Sequence, residues 1–237
     1  MIESFCRKID EYGLKGSFLL MKSTLLAKCY YKPFKNSFAQ YGEDVVIDRL
    51  LDHKRLGFYV DVGAFDPSQR SNTKRFYLKG WSGINIEPNP DKIAKFNSLR
   101  PRDINLSIGI ADKEGMMAAY RFKDSTSYTL SKDFVAEKTR QGFGLEQELN
   151  VKVNTLEEVF DEHLGGRCID FVSIDAEGYD LAVLRSNNWE KYRPRLVCIE
   201  SFNIQDRGYG KKQEAFLIKR GYRKVYDNGL NSFYVEI

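Results

Sequence analysis

The stretch FYVDVGAFDP, residues 58–67, decides the fold. Phe58, Tyr59, Val60 and Val62 are aromatic and β-branched, the residue types that suit a buried strand. The run stops at Gly63, and Asp66-Pro67 signals a turn. A strand that ends in a glycine turn and leads to a helix opens an α/β crossover. The loop itself is no phosphate cradle. A dinucleotide loop needs further glycines so that backbone N–H groups reach a pyrophosphate. Here Phe65 stands two positions after Gly63 and Ser68 five positions after it. No GKS or GKT occurs in the chain, and Asp66 would repel an anion. The ligand expected at this loop lacks phosphate and carries positive charge.

Outward from this stretch, strands and helices alternate. SFAQYGEDVVIDRLL reads as a helix with Val45, Val46, Leu50 and Leu51 at helical spacing. SNTKRFYLKG reads as a helix stopped at Gly80, SGINIEP as a strand stopped by Pro88, and NPDKIAKFNSL as a helix capped by Asn89 with Pro90 at its first position. INLSIGIA reads as a third strand. Residues 112–150 interrupt the rhythm: EGMMAAYRF fits a strand, and the polar segment after it reads as loosely helical. This insertion is expected over the C-terminal edge of the sheet. VNTLEEVFDEHL, CIDFVSIDAEG, YDLAVLRS, PRLVCIES and GKKQEAFLIKRGY continue as helix, strand, helix, strand and helix. YRKVYD and NSFYVEI flank Asp227-Asn228-Gly229, a hairpin signal. A parallel sheet with right-handed crossovers that finishes in an antiparallel hairpin is the class I methyltransferase arrangement, a Rossmann-like, mostly parallel sheet of seven strands. That likeness concerns the fold alone.

Ligands of open α/β sheets sit outside the carboxyl ends of the strands. Those ends carry Asp61, Gly63 and Asp66; Glu87 with Pro88; Ala111 and Asp112; Asp175 and Glu177; and Glu200 with Asn203. This rim is acidic. Glu87 lies 24 residues beyond Gly63, where an acid takes ribose hydroxyls. A ribose diol without phosphates, attached to a cationic centre, describes S-adenosylmethionine. Asp61 is equally at home as a helix cap and Glu87 as turn punctuation; the two at this spacing favour a nucleoside site.

QYGEDVVIDRLL, GFYVDVGAFDPSQRSNT, GWSGINIEPNP, NTLEEVF, IDFVSIDAEGYDLAVL and YRPRLVCIE together resemble the FkbM-type S-adenosylmethionine-dependent methyltransferases, from about residue 38 onward. The resemblance implies O-methylation, often of sugar hydroxyls, with Asp61, Gly63 and Glu87 holding the cofactor and Gln40, Tyr41, Ser71 and Asn72 lining the site. Pro88 and Asp112, at the next strand ends, complete the expected cofactor set. The sequence departs from the family where Phe65 and Pro67 replace Asn and Gly, and where Tyr179 replaces a common His.

A sugar hydroxyl needs a base or a metal to lower its pKa. His53 and His163, the two histidines, lie away from the strand ends and read as bystanders. Asp175 or Glu177 is the expected base, with Glu200 also catalytic. A second reading has Asp175, Glu200 and Asn203 holding a divalent cation such as Mg²⁺. Tyr120, Phe122, Tyr128, Phe134 and Phe143 on the insertion suit a packed lid, or stacking on sugar rings. The competing classes are a methyltransferase fold that has lost its chemistry and serves as a binding scaffold, and a methyltransferase of a non-sugar small molecule. A nicotinamide oxidoreductase is weakened by the missing glycines. Methylation at nitrogen is weakened by the lack of an NPPY-like end to the fourth strand.

Charge and composition bound the partners. Hydrophobic residues make up 42% and charged residues 30% of 237, which suits a globular α/β domain. Residues 1–36 hold seven Lys/Arg and three Asp/Glu of the chain's 37 and 33, so the remainder is neutral. A neutral body argues against a nucleic-acid enzyme. The basic, partly apolar extension 1–36 is expected to be helical and to pack on the core or a second copy, with a membrane surface as the alternative. The stretch Lys211, Lys212, Lys219, Arg220, Arg223 and Lys224 reads as a solvated helix face. Four cysteines without CxxC spacing are expected to be reduced, Cys168 and Cys198 within strands, in a cytoplasmic setting.

Overall fold

In a computed structural model, residues 37–123, 128–201 and 208–237 are described. The extension 1–36 and Asn203 lie outside them. Helix α1 (Glu43–Leu50) precedes β1 (Phe58–Val62), α2 (Lys74–Leu78), β2 (Ser82–Ile86), α3 (Pro90–Leu99) and β3 (Ile104–Leu106). The second half supplies α5 (Leu156–His163), β7 (Phe171–Ile174), α6 (Asp180–Arg185), β8 (Leu196–Glu200), α7 (Tyr209–Ile218), β9 (Tyr222–Asp227) and β10 (Asn231–Glu236). Seven strands form one sheet in the order β3-β2-β1-β7-β8-β10-β9. All neighbours are parallel except β10, which runs antiparallel to both β8 and β9. This is the class I methyltransferase topology, with its order reversing between β1 and β7, where a ligand crevice opens.

Both faces of the sheet are covered, so β1 and β7 are buried along their whole length. On one face Val60, Ile84, Val172 and Val197 pack with Val159, Phe160 and Leu184 of α5 and α6. On the other, Tyr59, Phe171, Leu196 and Phe233 pack with Ile47 of α1 and Phe76 of α2. The helices begin where the chemistry directs. Asn89 accepts the Asp91 N–H at 2.9 Å ahead of Pro90. Thr155 and Glu158 form a reciprocal capping box. Gly229 closes the β9–β10 hairpin at φ +87°.

Four expectations are corrected. INLSIGIA is not one strand: it breaks after Leu106, and Gly109–Ile110 leaves the main sheet as β4. The insertion is more sheet than helix. β5 (Gly115–Phe122) and β6 (Leu145–Asn154) pair antiparallel, β4 joins β6 in parallel, and α4 (Lys132–Arg140) lies between β5 and β6 in sequence. Helix α1 buries Glu43, Asp44, Ile47 and Asp48 rather than the valines, because its acids find partners elsewhere. Glu43 accepts from Asn228 and Asn231 at 2.8 and 2.9 Å, and Asp44 pairs with Arg75 at 3.1 Å. Cys198 is buried in β8, whereas Cys168 is exposed in the loop before β7. Among the described residues no helix is long and apolar enough to cross a membrane.

Candidate functional site

A cleft of about 940 Å³, counted out to its open mouth, lies at the carboxyl ends of β1, β2 and β7. Gly63 and Ala64 bend the chain out of β1 there, their N–H groups donating to the Ile86 carbonyl at 2.9 and 3.1 Å. Gly63 adopts φ +76°, and a Cβ built on it would stand 1.9 Å from the Asp175 carbonyl oxygen. The glycine is therefore required by the end of β7, a nearer cause than approach to a cofactor. Phe65 follows at φ +58°, a rare backbone for a bulky side chain. The Asp66 N–H reaches back to the Ala64 carbonyl at 2.7 Å, closing a three-residue turn around it.

One buried guanidinium holds this loop. Arg100 is 1% exposed. Its Nε and Nη2 donate to the Pro67 carbonyl at 3.1 and 2.6 Å, its Nη1 to Thr73 Oγ1 at 2.7 Å, and its Nη2 also to Ser71 Oγ at 2.8 Å. Thr73 Oγ1 in turn donates to Asp61 Oδ2 at 2.7 Å. Pro67, unexplained by sequence, is thus an anchor point. Phe65 lines the cleft.

The expected residues divide cleanly. Gln40, Asp61, Gly63, Asn72, Glu87, Pro88, Asp175 and Glu177 line the cleft together. Tyr41, Ser71, Asp112 and Glu200 do not. Tyr41 uses its N–H on Glu43 at 2.8 Å ahead of α1. Ser71 is buried behind the loop, taken up by Arg100. Asp112 is exposed after β4. Glu200 stands behind the cleft, close enough for Asp175, Asp180 and Glu177 to repel its charge. The sequence reading missed Arg70, Ile108, Ile110, Leu130 and Val183 among the lining residues, and weighed Tyr128 as a lid or sugar-stacking aromatic. No periodicity marks such positions, because they come from the ends of separate elements.

Glu87 is nearly buried, and it is held in place. Its Oε2 accepts the Phe65 N–H at 3.2 Å and its Oε1 the Asn89 N–H at 3.1 Å. A carboxylate accepts about four hydrogen bonds, so capacity for a diol remains. Asp175 is exposed by surface area but sits in a recess with protein around it. Loss of solvation, then repulsion from Glu177, Asp180, Asp61 and Glu43, pushes its carboxyl well above the usual range. Asp180 is buried at the start of α6, where it accepts the Ala176 N–H at 2.8 Å and the Tyr209 hydroxyl, and burial lifts it to about 6.

The insertion supplies the opposite wall. Thr129 Oγ1 donates to the Glu177 carbonyl at 2.8 Å, and Tyr128 hydrogen-bonds Gln147 of β6 at 2.7 Å. Glu177 itself holds φ +50°. His53 pairs with Asp48, and His163 lies against Glu162; neither lines the cleft.

A model of the methyltransferase FkbM domain matches residues 61–224, more than half of the chain. The chain belongs to the FkbM methyltransferase family. As an FkbM protein it is a methyltransferase with S-adenosylmethionine as donor. Several solved structures are similar to this FkbM chain at low identity. An O-methyltransferase from Bacillus cereus in complex with S-adenosylhomocysteine is 9% identical, covering 99% of this chain and 98% of that one, at a TM-score of 0.44. A TehB-like S-adenosylmethionine-dependent methyltransferase from Corynebacterium glutamicum is 10% identical, covering 92% and 99%, at 0.43. The fibrillarin pre-rRNA processing protein of Methanococcus jannaschii is 13% identical, covering 77% and 67%, at 0.43. Likeness at that level adds nothing to the site's chemistry. Among curated proteins no sequence matches this chain.

The residues of the cleft suit the donor: acids for a cationic ligand, spare acceptor capacity at Glu87 for a diol, and apolar walls from Ile86, Ile108 and Ile110 for a base. The expected divalent cation fares differently. Among the described residues no three His, Cys, Asp or Glu side chains come together to hold a metal ion, and Glu200 lies behind the cleft rather than in it. No step is therefore routed through a cation.

Proposed function

We propose that this FkbM methyltransferase transfers the methyl group to a hydroxyl of a carbohydrate, with Asp175 as the base. The observation that carries the reading is Asp175 itself. It is a carboxylate lining the same cleft as Glu87, with its proton affinity raised by loss of solvation and by neighbouring acids. A carboxylate of raised proton affinity takes up a hydroxyl proton more effectively than an ordinary aspartate. The donor supplies an electrophilic methyl carbon on a sulfonium. The chain's own work is alignment. Glu87 accepts from the ribose hydroxyls; Asp61 and Asp175 set a negative field around the sulfonium; and Asp175 takes the hydroxyl proton as the acceptor oxygen bonds to the methyl carbon and the C–S electron pair passes to sulfur. Glu177 is a further carboxylate lining the cleft, and Glu200, outside the lining, adds to the local negative charge.

Aromatic rings support a sugar acceptor. Tyr128 and Tyr179 line the cleft, and sugar rings stack their C–H faces on such surfaces. Incubation of the full chain with labelled donor and a panel of glycosides and nucleotide sugars, read by mass for the gain of one methyl group, tests the acceptor class. Asp175→Asn is expected to lower turnover by about 10²-fold or more while S-adenosylhomocysteine still binds. Full turnover in that variant would remove Asp175 as the base.

A further inference from the structure

Lys92 lies on α3, behind the ribose side of the cleft. Its side chain is 13% exposed, and its Nζ is enclosed without a hydrogen-bond partner. Glu87 Oε2 stands 3.7 Å away, within ion-pair range but too far for a hydrogen bond. The Phe65 ring lies beneath the ammonium, its centroid 4.2 Å off. Glu177 and Asp66 also draw on this charge, from the loop after β7 and the loop after β1. Burial pulls Lys92 below the usual lysine range and pushes Glu87 above the usual carboxylate range. A buried ammonium has three donors, and leaving them unused is costly. Its nearest acceptor, Glu87, is committed at each oxygen to one backbone N–H.

We infer that Lys92 is a positioning residue for the donor site: its enclosed ammonium, seated over the Phe65 ring and 3.7 Å from Glu87 Oε2, holds from outside the cleft lining the carboxylate that receives the nucleoside diol. The inference rests on the donor reading of the cleft and adds a residue that neither the loop motif nor the family pattern singles out. The positive φ of Phe65 belongs to the same device: that conformation aims the Phe65 N–H at Glu87 while its ring seats the Lys92 charge. Asp66, Glu87 and Glu177 are the charged groups that face Lys92, so its removal leaves the acids here unopposed.

Titration calorimetry of the full chain with S-adenosylhomocysteine, across the pH range below neutrality, tests this. Lys92→Met is expected to weaken binding by about tenfold or more, because Glu87 loses the charge that holds it as a carboxylate. Glu87 then protonates at higher pH, so binding fails on acidification earlier than in the wild type. Lys92→Gln keeps a donor and loses the charge; it is expected to show the same pH displacement with a smaller loss of affinity. Ligand-free melting of both variants near the wild-type temperature separates the effect from misfolding. Binding by either folded variant within about twofold of wild type, with an unmoved pH profile, overturns the inference. A wild-type chain that binds no S-adenosylhomocysteine overturns the donor reading, and this inference with it.

Discussion

Gly63 and Gly229 share a left-handed backbone but not an environment. Gly63 has φ +76° and no room: its Cβ would fall 1.9 Å from the Asp175 carbonyl oxygen. Gly229 has φ +87° and open space around it. Gly229→Ala is expected to cost only the left-handed penalty, roughly 1–2 kcal/mol. Gly63→Ala adds a backbone collision between the ends of β1 and β7, so its cost is expected to exceed about 3 kcal/mol, with the cleft distorted as well. Urea unfolding of the two variants measures the difference; equal costs would show that the strand ends yield. The glycine was legible in the sequence, and its reason was not. The sequence puts Gly63 at the end of a strand, but the carbonyl that demands it lies 112 residues further on, in a strand whose register only the folded sheet fixes.

The insertion matters through a polar tie to the loop after β7. Thr129 of the insertion donates to the Glu177 carbonyl at 2.8 Å, and Gly178 packs under Phe134 of α4. The loop that presents Asp175 and Glu177 is therefore buttressed from outside the main sheet. Thr129→Val keeps the shape and removes the donor. It is expected to cost about 1 kcal/mol of stability and to lower turnover while donor affinity holds, since Glu87 and Gly63 are untouched; comparing turnover with S-adenosylhomocysteine affinity tests this. Most elements of the main sheet were legible because buried parallel strands are continuous apolar runs bounded by turn residues, as in FYVDV and LVCIE. The insertion was not. Strand β6 does alternate, with Val151 and Val153 buried on either side of exposed Lys152, but its first half is polar and exposed, which masks the period. The acids of α1 were missed for another reason. Burying Glu43 and Asp44 is possible only because Asn228, Asn231 and Arg75 arrive from distant parts of the chain.

Across the whole molecule the cleft gathers like charge. Burial and mutual repulsion raise Asp175 and Glu200, and lift Asp180 to about 6. The unfolded chain titrates these acids lower. Between the two values the folded state holds the protons and the unfolded state does not, so stability rises as pH falls through that window. Asp48, held below the usual range by Lys79 and His53, and Asp227, held there by the Gly229 N–H and Lys224, act oppositely and only at lower pH. The melting temperature of the ligand-free chain is thus expected to climb from about pH 7 to about pH 5 before falling in stronger acid. Asp180→Asn should flatten part of that climb, and a profile that declines steadily from neutrality would contradict it. The position of β10 has a consequence of a different kind. It occupies an interior slot, hydrogen-bonded to β8 on one side and β9 on the other, although it follows both in the chain. A nascent chain made as far as β9 has its strands but not the one that joins the hairpin to β8. Until that strand emerges, β8 is an open edge and much of the apolar surface around Phe233 and Tyr234 has no cover. Completion of the sheet therefore waits on translation, and the incomplete chain is the form most exposed to edge-to-edge association and to chaperone capture.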